Sequence, residues 1–166
     1  MGIISLAIIF TSPGPVIFWS DRVGQFNKIF RMPKFRTMYS SAPLVATDLI
    51  EFPETYLTSI GAFLRKTSLD ELPQLWTILI GRMTLVGPRP ALFNQIDLIE
   101  LRNQSGVYAL RPGLVGWAQI NGRDSLNSVE KVYFDKEYLE KMSFKFDLYI
   151  LFRAFFLVVK GVNVSH

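Results

Sequence analysis

The sequence predicts an α+β fold, a mainly helical domain with a small β-hairpin or sheet and amphipathic helices suited to an interface. Three observations lead there. Short strand-like runs occur early, at residues 16–19, 28–32 and 35–38, grouped about Gly24 and Asn27. From residue 58 onward helical segments dominate, separated by glycine and proline punctuation. The chain is also 49% hydrophobic and 14% aromatic with a mean hydropathy of +0.25, and its Phe residues crowd toward the two ends. A membrane surface is therefore as natural a destination for this apolar area as an interior. The length of 166 residues fits a single domain spanning 1–166.

Taken in order, residues 1–10 form an apolar run stopped by Thr11-Ser-Pro-Gly-Pro15. This is short of the roughly 20 residues a spanning helix needs and has no basic stretch before it, so it reads as a short helix against the core or one that dips into a bilayer. The runs at 16–19 and 28–38 form a hairpin through Gly24 and Asn27. Residues 40–54, with Pro33, Pro43 and Pro53 in or near them, form a loop. A helix begins within 58–64, and a stronger one covers 69–79 and ends at Gly81. Gly87-Pro-Arg-Pro90 is a stiff elbow, because two prolines fix φ on either side of one arginine. Residues 94–101 are helical, and Arg111-Pro-Gly113 and Asn121-Gly-Arg123 are turns around an apolar stretch. Residues 128–141 form a charged, solvated helix. In the last segment, 144–160, Lys145, Tyr149, Arg153 and Lys160 share one stripe, giving an amphipathic helix for a membrane surface or, equally, one buried on three sides.

Composition excludes much chemistry. With no Cys there is no disulfide, thiolate nucleophile or cysteine metal knuckle. The only histidine, His166, is the last residue, so a histidine zinc site or a Ser-His-Asp triad is excluded within the chain. Walker A, Gly-x-Gly-x-x-Gly and His-Glu-x-x-His patterns are absent. What remains is a formal charge of +4 whose cations gather at turns: Lys34 and Arg36 near Pro33, Arg65, Arg89, Arg111 and Arg123. Guanidiniums on short, stiff segments lose little entropy when they grip phosphate, so these six are read as a phosphate-binding set.

Against them stands Ser68-Leu-Asp-Glu71 before Leu-Pro-Gln-Leu-Trp76. Ser68 with Glu71 matches a capping box, and Asp70 as the cap would instead place Pro73 where its missing N–H costs nothing. Either way Asp70 and Glu71 open a helix, where one carboxylate can face an electrophile and its neighbour a divalent cation. Carboxylates attack phosphorus to give acyl phosphates when cations neutralise the phosphoryl oxygens. Mg²⁺ suits such a site, since it takes one or two carboxylates and completes its shell with phosphate and water.

Several long motifs stand in register over about residues 11–160: Ser12-Pro-Gly-Pro15 with Val16-Ile-Phe18, Phe30-Arg-Met-Pro-Lys-Phe-Arg-Thr-Met38, Arg65-Lys-Thr-Ser-Leu-Asp-Glu-Leu-Pro-Gln-Leu75, Leu85-Val-Gly-Pro-Arg-Pro90, and Arg111-Pro-Gly-Leu-Val-Gly-Trp-Ala-Gln-Ile-Asn-Gly-Arg123. Together they resemble the bacterial sugar transferases, monotopic phosphoglycosyl transferases that load a sugar phosphate onto a polyprenyl phosphate. The resemblance implies a monotopic, membrane-associated domain at the cytoplasmic face of the bacterial inner membrane. It implies a UDP-sugar donor, a polyprenyl (undecaprenyl) phosphate acceptor, release of UMP, and no nucleic-acid partner. It also implies Asp70 as a nucleophile that carries the phosphosugar, Glu71 as a holder of Mg²⁺, and Arg65 and Arg89 in phosphate handling.

Two departures stand out. Members of the family usually begin with a longer re-entrant hydrophobic helix, so residues 1–14 are read as its remnant, with a homo-oligomer, a partner or the C-terminal helices supplying the rest of the anchoring. Arg82 also stands where the family commonly has an acidic residue, placing a positive charge near the expected metal region. A regulatory sugar-nucleotide-binding remnant on the membrane is the competing reading. A basic nucleic-acid module, with affinity falling steeply in salt, is a second.

Overall fold

The computed structural model describes residues 1–43, 51–122 and 125–160. Helix α1 (Gly2–Thr11) leads into an antiparallel hairpin, β1 (Ile17–Val23) and β2 (Ile29–Phe35), in the register Ile17↔Phe35 to Val23↔Ile29. Its turn closes with Gly24 N–H donating to the Lys28 carbonyl at 2.9 Å, and Phe26 and Asn27 hold φ of 56° and 59°. Pro33 is tolerated because β2 is an edge strand, where a missing N–H breaks no second ladder. On the other side β1 pairs with β4 (Ala91–Leu92), giving the order β2-β1-β4.

Next along the chain come α2 (Gly61–Lys66), a 3₁₀ turn over Leu69–Glu71, and α3 (Gln74–Leu79). The single helix expected over 69–79 is therefore two pieces. Pro73 is the reason: lacking an N–H, it cannot continue an α-helical ladder and instead caps α3 with φ −61°. The Ser68–Glu71 capping box is not formed either, because Ser68 is left-handed (φ 56°) and makes no side-chain cap bond. The turn is closed by backbone, with Glu71 N–H donating to the Ser68 carbonyl at 3.2 Å.

A second, two-stranded parallel sheet pairs β3 (Thr84–Val86) with β5 (Gly113–Val115). Around it pack α4 (Ile96–Gln104), α5 (Trp117–Ile120), α6 (Ser128–Lys141) and α7 (Phe144–Lys160). The expected span of α6 matches, and its start is a true capping box in which Asn127 Oδ1 accepts from Glu130 N–H at 2.9 Å. It is not solvated all round: Val132, Asp135 and Tyr138 are buried.

The core is divided. Val86, Ile120, Tyr138 and Ile150 centre the C-terminal cluster, and Ile8, Phe35 and Leu64 pin α1 over the hairpin. Most of α1 faces outward, with Ile3 and Phe10 each 85% exposed. Helix α7 buries Ile150 and leaves Phe144, Leu148, Phe152, Phe155 and Phe156 exposed, which decides against burial on three sides. Trp76, Leu79 and Ile80 of the α3 region are exposed as well. Such an apolar exterior suits a membrane surface rather than bulk water. No helix among the described residues is long and apolar enough to cross a membrane. The fold is thus mixed α+β with a small sheet and hairpin, in keeping with monotopic association.

The two sheets' junction depends on glycine. Gly87 N–H donates to the Val115 carbonyl at 3.0 Å and Gly113 N–H to the Pro88 carbonyl at 2.9 Å, and a Cβ on Gly113 would lie 2.1 Å from Gly87 N. Backbone cannot yield there, so Gly113→Ala should cost about 3 kcal/mol or more. Gly2→Ala, in open space, should stay within about 0.5 kcal/mol. Urea unfolding of both variants checks the contrast.

Candidate active site

Strand pleat places the first cations. Directly opposed residues of an antiparallel pair share a face, so the pairs Phe18↔Lys34, Ser20↔Met32 and Arg22↔Phe30 put Lys34 and Arg22 on one side of the hairpin. Beneath that face lies the Leu69–Glu71 turn. Lys34 Nζ stands 3.1 Å from Glu71 Oε1 and 4.0 Å from Asp70 Oδ2. Arg89 grips the same Glu71 carboxylate as a fork, NH2 on Oε1 and NH1 on Oε2 at 3.4 Å.

The elbow that carries Arg89 is held at three of its carbonyls. Pro88 is tied to Gly113 as above, the Arg89 carbonyl accepts from Arg102 NH1 at 2.9 Å, and the Pro90 carbonyl accepts from Arg22 NH1 at 3.3 Å. Arg102 in turn donates through Nε and NH2 to Asp135 Oδ2 at 3.0 and 2.6 Å. From α2, Arg65 donates through Nε to Thr37 Oγ1 at 3.0 Å and adds positive potential at Asp70.

The two adjacent carboxylates are thereby made different. Burial pushes Asp70 above its ordinary value, more than Lys34 pulls it down, and the neighbouring Glu71 charge adds to the rise. Burial also pushes on Glu71, but Arg89 and Lys34 overcome it and hold that carboxyl far below the usual range. Desolvation lowers Lys34 and Arg65, and lowers Arg22 to about 10 with help from Arg89. Among the described residues, the cations Arg22, Lys34, Arg65 and Arg89 gather about Asp70 and Glu71, a positive setting suited to an anionic substrate. Asp70 is only 7% exposed, yet its carboxylate accepts no hydrogen bond among the described residues, leaving its lone pairs uncommitted.

Of the predicted set, Asp70, Glu71, Lys34, Arg65 and Arg89 come together. Arg36 does not join them. Its guanidinium is buried and donates to the Ser12 carbonyl at 2.8 Å, to Ser12 Oγ at 2.9 Å and to the Pro13 carbonyl, so it ties the end of α1 to the hairpin instead of serving phosphate. Arg111 is exposed beside β5, with no hydrogen bond or ion pair to the described residues, and its carbonyl rather than its side chain packs against Gly87. Arg123 lies outside the described residues. Arg82 is exposed after α3, without an ion pair to Asp70 or Glu71, so its positive charge does not enter the cluster. Sequence reasoning missed Arg22 and the Arg102–Asp135 pair. Strand alternation could have placed Arg22 on the Lys34 face; for the pair, only a charged residue at a core-facing position of α6 gave a signal.

The donors at Asp70 and Glu71 suit a hard cation. Among the described residues Glu71 Oε2 accepts only a long bond and Asp70 none, so two carboxylates could offer oxygens while phosphate and water fill the remaining positions. Among the described residues no group of three His, Cys, Asp or Glu converges.

A family model described as bacterial sugar transferase matches residues 1–161. The UDP-glucose:undecaprenyl-phosphate glucose-1-phosphate transferase of Escherichia coli is 41% identical over 166 residues, covering 92% of this chain and 34% of that protein. An uncharacterized sugar transferase, EpsL, of Bacillus subtilis is 40% identical, covering 91% and 71%. Another uncharacterized sugar transferase, from Haemophilus influenzae, is 36% identical, covering 93% and 39%. The chain thus spans little more than a third of the length of two of these three relatives.

Proposed function

The chain belongs to the bacterial sugar transferase family, and from that premise we propose that it moves a sugar 1-phosphate from a UDP-sugar to undecaprenyl phosphate at the cytoplasmic face of the bacterial inner membrane. The observation that carries the reading is the division of labour between the two carboxylates. Glu71 is locked by Arg89 and Lys34, while Asp70 stands beside it desolvated and, among the described residues, without a hydrogen-bond donor.

In the first step an Asp70 oxygen attacks the phosphorus that bears the sugar, the bond to the UMP oxygen breaks, and UMP leaves. A phosphosugar–aspartyl anhydride remains. In the second step an oxygen of polyprenyl phosphate attacks the same phosphorus, the bond to Asp70 breaks, and the lipid-linked diphosphate forms with the carboxylate regenerated. An acyl phosphate suits this sequence because it retains the energy needed for the new diphosphate. Lys34, Arg65 and Arg89 draw in the anionic donor and offset charge on the transferring phosphoryl oxygens. Mg²⁺, held by Glu71 with Asp70 in reach, would neutralise phosphate charge and orient the leaving group. Trapping the adduct and locating it on the Asp70 peptide by mass spectrometry tests the reading. A labelled peptide from elsewhere in the chain, or none with UMP still released, would overturn it.

A pH prediction follows from the raised Asp70. Only the carboxylate attacks, so the rate of UMP release should fall on acidification with a midpoint above the ordinary 3.8. Lys34 is the cation that most lowers Asp70, so Lys34→Met should move that acid limb to still higher pH, whereas loss of a purely structural lysine would lower the rate without moving it.

A further inference from the structure

Behind Glu71 lies a cavity of about 190 Å³. Leu72 and Leu75, Leu114 of β5, and Ala154, Leu157 and Val158 of α7 line it. Its polar lining is limited to Ser68, Glu71 and Gln119, and Gln119 Oε1 already accepts from Gly116 N–H at 2.7 Å. Among the described residues no cationic side chain lines it. A diphosphate has no partner inside, and the space is below the roughly 300 Å³ at which pockets begin to hold a whole drug-sized ligand. A short run of methyl and methylene groups matches it.

The two ends of the cavity differ. At one end Glu71 is shared with the cluster of Lys34 and Arg89. Toward the other, Leu75 and Val158 are 39% and 38% exposed, on elements that also present Trp76, Leu79, Phe155 and Phe156 outward. The complementary molecule is an amphiphile with an anionic head and an apolar tail. We propose that this cavity, between the Leu69–Glu71 turn, β5 and α7, receives the head-proximal isoprene units of the polyprenyl phosphate acceptor, with its phosphate directed at the Lys34–Arg89 cluster. The inference rests on the transfer reaction proposed above and adds the acceptor's seat to it.

Two substitutions reduce the space. Ala154→Leu fills it from within, and Val158→Trp narrows its mouth from a partly exposed position that tolerates bulk. With the full chain in detergent, three quantities are measured: UMP release and adduct formation without acceptor, KM for undecaprenyl phosphate in the complete reaction, and the rise in melting temperature on adding undecaprenyl phosphate alone. Both variants should form adduct with an unchanged KM for the UDP-sugar, raise the KM for the lipid about tenfold, and lose most of the lipid-induced thermal shift. A raised KM for the UDP-sugar with unchanged lipid KM would make the cavity part of the donor site and overturn the proposal. So would unchanged lipid KM and thermal shift in both variants. If the parent chain forms no adduct yet is stabilised by the lipid, and the variants lose that stabilisation, the transfer reading fails while the lipid seat stands.

Discussion

Asp70→Asn should abolish the phosphosugar adduct and cut UMP release by at least about 10³-fold, because a group that forms the bond to phosphorus has no substitute in the site. The same change should leave the protein as stable or make it more so at neutral pH. An acid whose pKa in the folded state is raised is more easily ionised when unfolded, so its charge costs stability as pH rises above 3.8. Asparagine removes that cost, and the melting-temperature gain over the parent should vanish at pH values low enough to protonate Asp70 in both states. Glu71→Gln should do the reverse. Its carboxyl is held low, so its charge stabilises the fold above the ordinary carboxylate range. Replacing it takes the Glu71 carboxylate away from Lys34 and Arg89, both mostly buried. Breaking a pair of this kind costs about 3–5 kcal/mol, seen as a melt several degrees lower. Calorimetry on the two variants therefore separates the carboxylate kept for reaction from the one held by its cations: no loss in Asp70→Asn beside a clear loss in Glu71→Gln supports the division of labour, and parallel destabilisation would remove it.

The parts legible in the sequence were those set by local rules. The hairpin follows from β-branched and aromatic runs about Gly24 and Asn27, and α6 from the run of mixed charges over residues 128–141. The Asp70-Glu71 pair, Lys34 and the Gly87-Pro-Arg-Pro90 elbow could be singled out because stiff turns, adjacent carboxylates and the motif order all pointed to them. Residues whose role depends on what lies opposite were not legible. Arg36 sits in the same kind of turn-flanking position as Lys34, and alternation would put residues two apart on one face, but β2 ends at Phe35 and Arg36 lies beyond it, beside the end of α1. Lys34 therefore reaches Glu71 while Arg36 is directed to Ser12 and Pro13. Asp135 looked like one of many charges on a solvated helix, and only the packing of α4 on α6 brings Arg102 to it. The break at Pro73 was misjudged because the balance between helix ladder and 3₁₀ turn was settled by backbone bonds around a left-handed Ser68.

That buried pair carries the other large effect. Asp135 is 1% exposed and receives two guanidinium bonds from Arg102, whose remaining NH1 holds the Arg89 carbonyl. Arg102→Met should cost about 3–5 kcal/mol, because it strands a carboxylate in the interior. Adding Asp135→Leu removes the stranded charge and should return most of that stability, since an apolar pair of similar volume is often neutral or better than the ion pair it replaces. Activity should not return with it. The double variant still lacks the donor at the Arg89 carbonyl, so the elbow loses one of its fixed points and the guanidinium fork on Glu71 loosens. A displacement of this kind at a site that works by positioning costs about 10²-fold. The expected signature is a double variant that melts near the parent but is slow in UMP release, with Arg102→Lys giving partial rescue because an ammonium can donate to the carbonyl though not as a fork. If stability and turnover instead recover together, Arg102 serves packing alone and the elbow is held by Arg22, Gly87 and Gly113 without it.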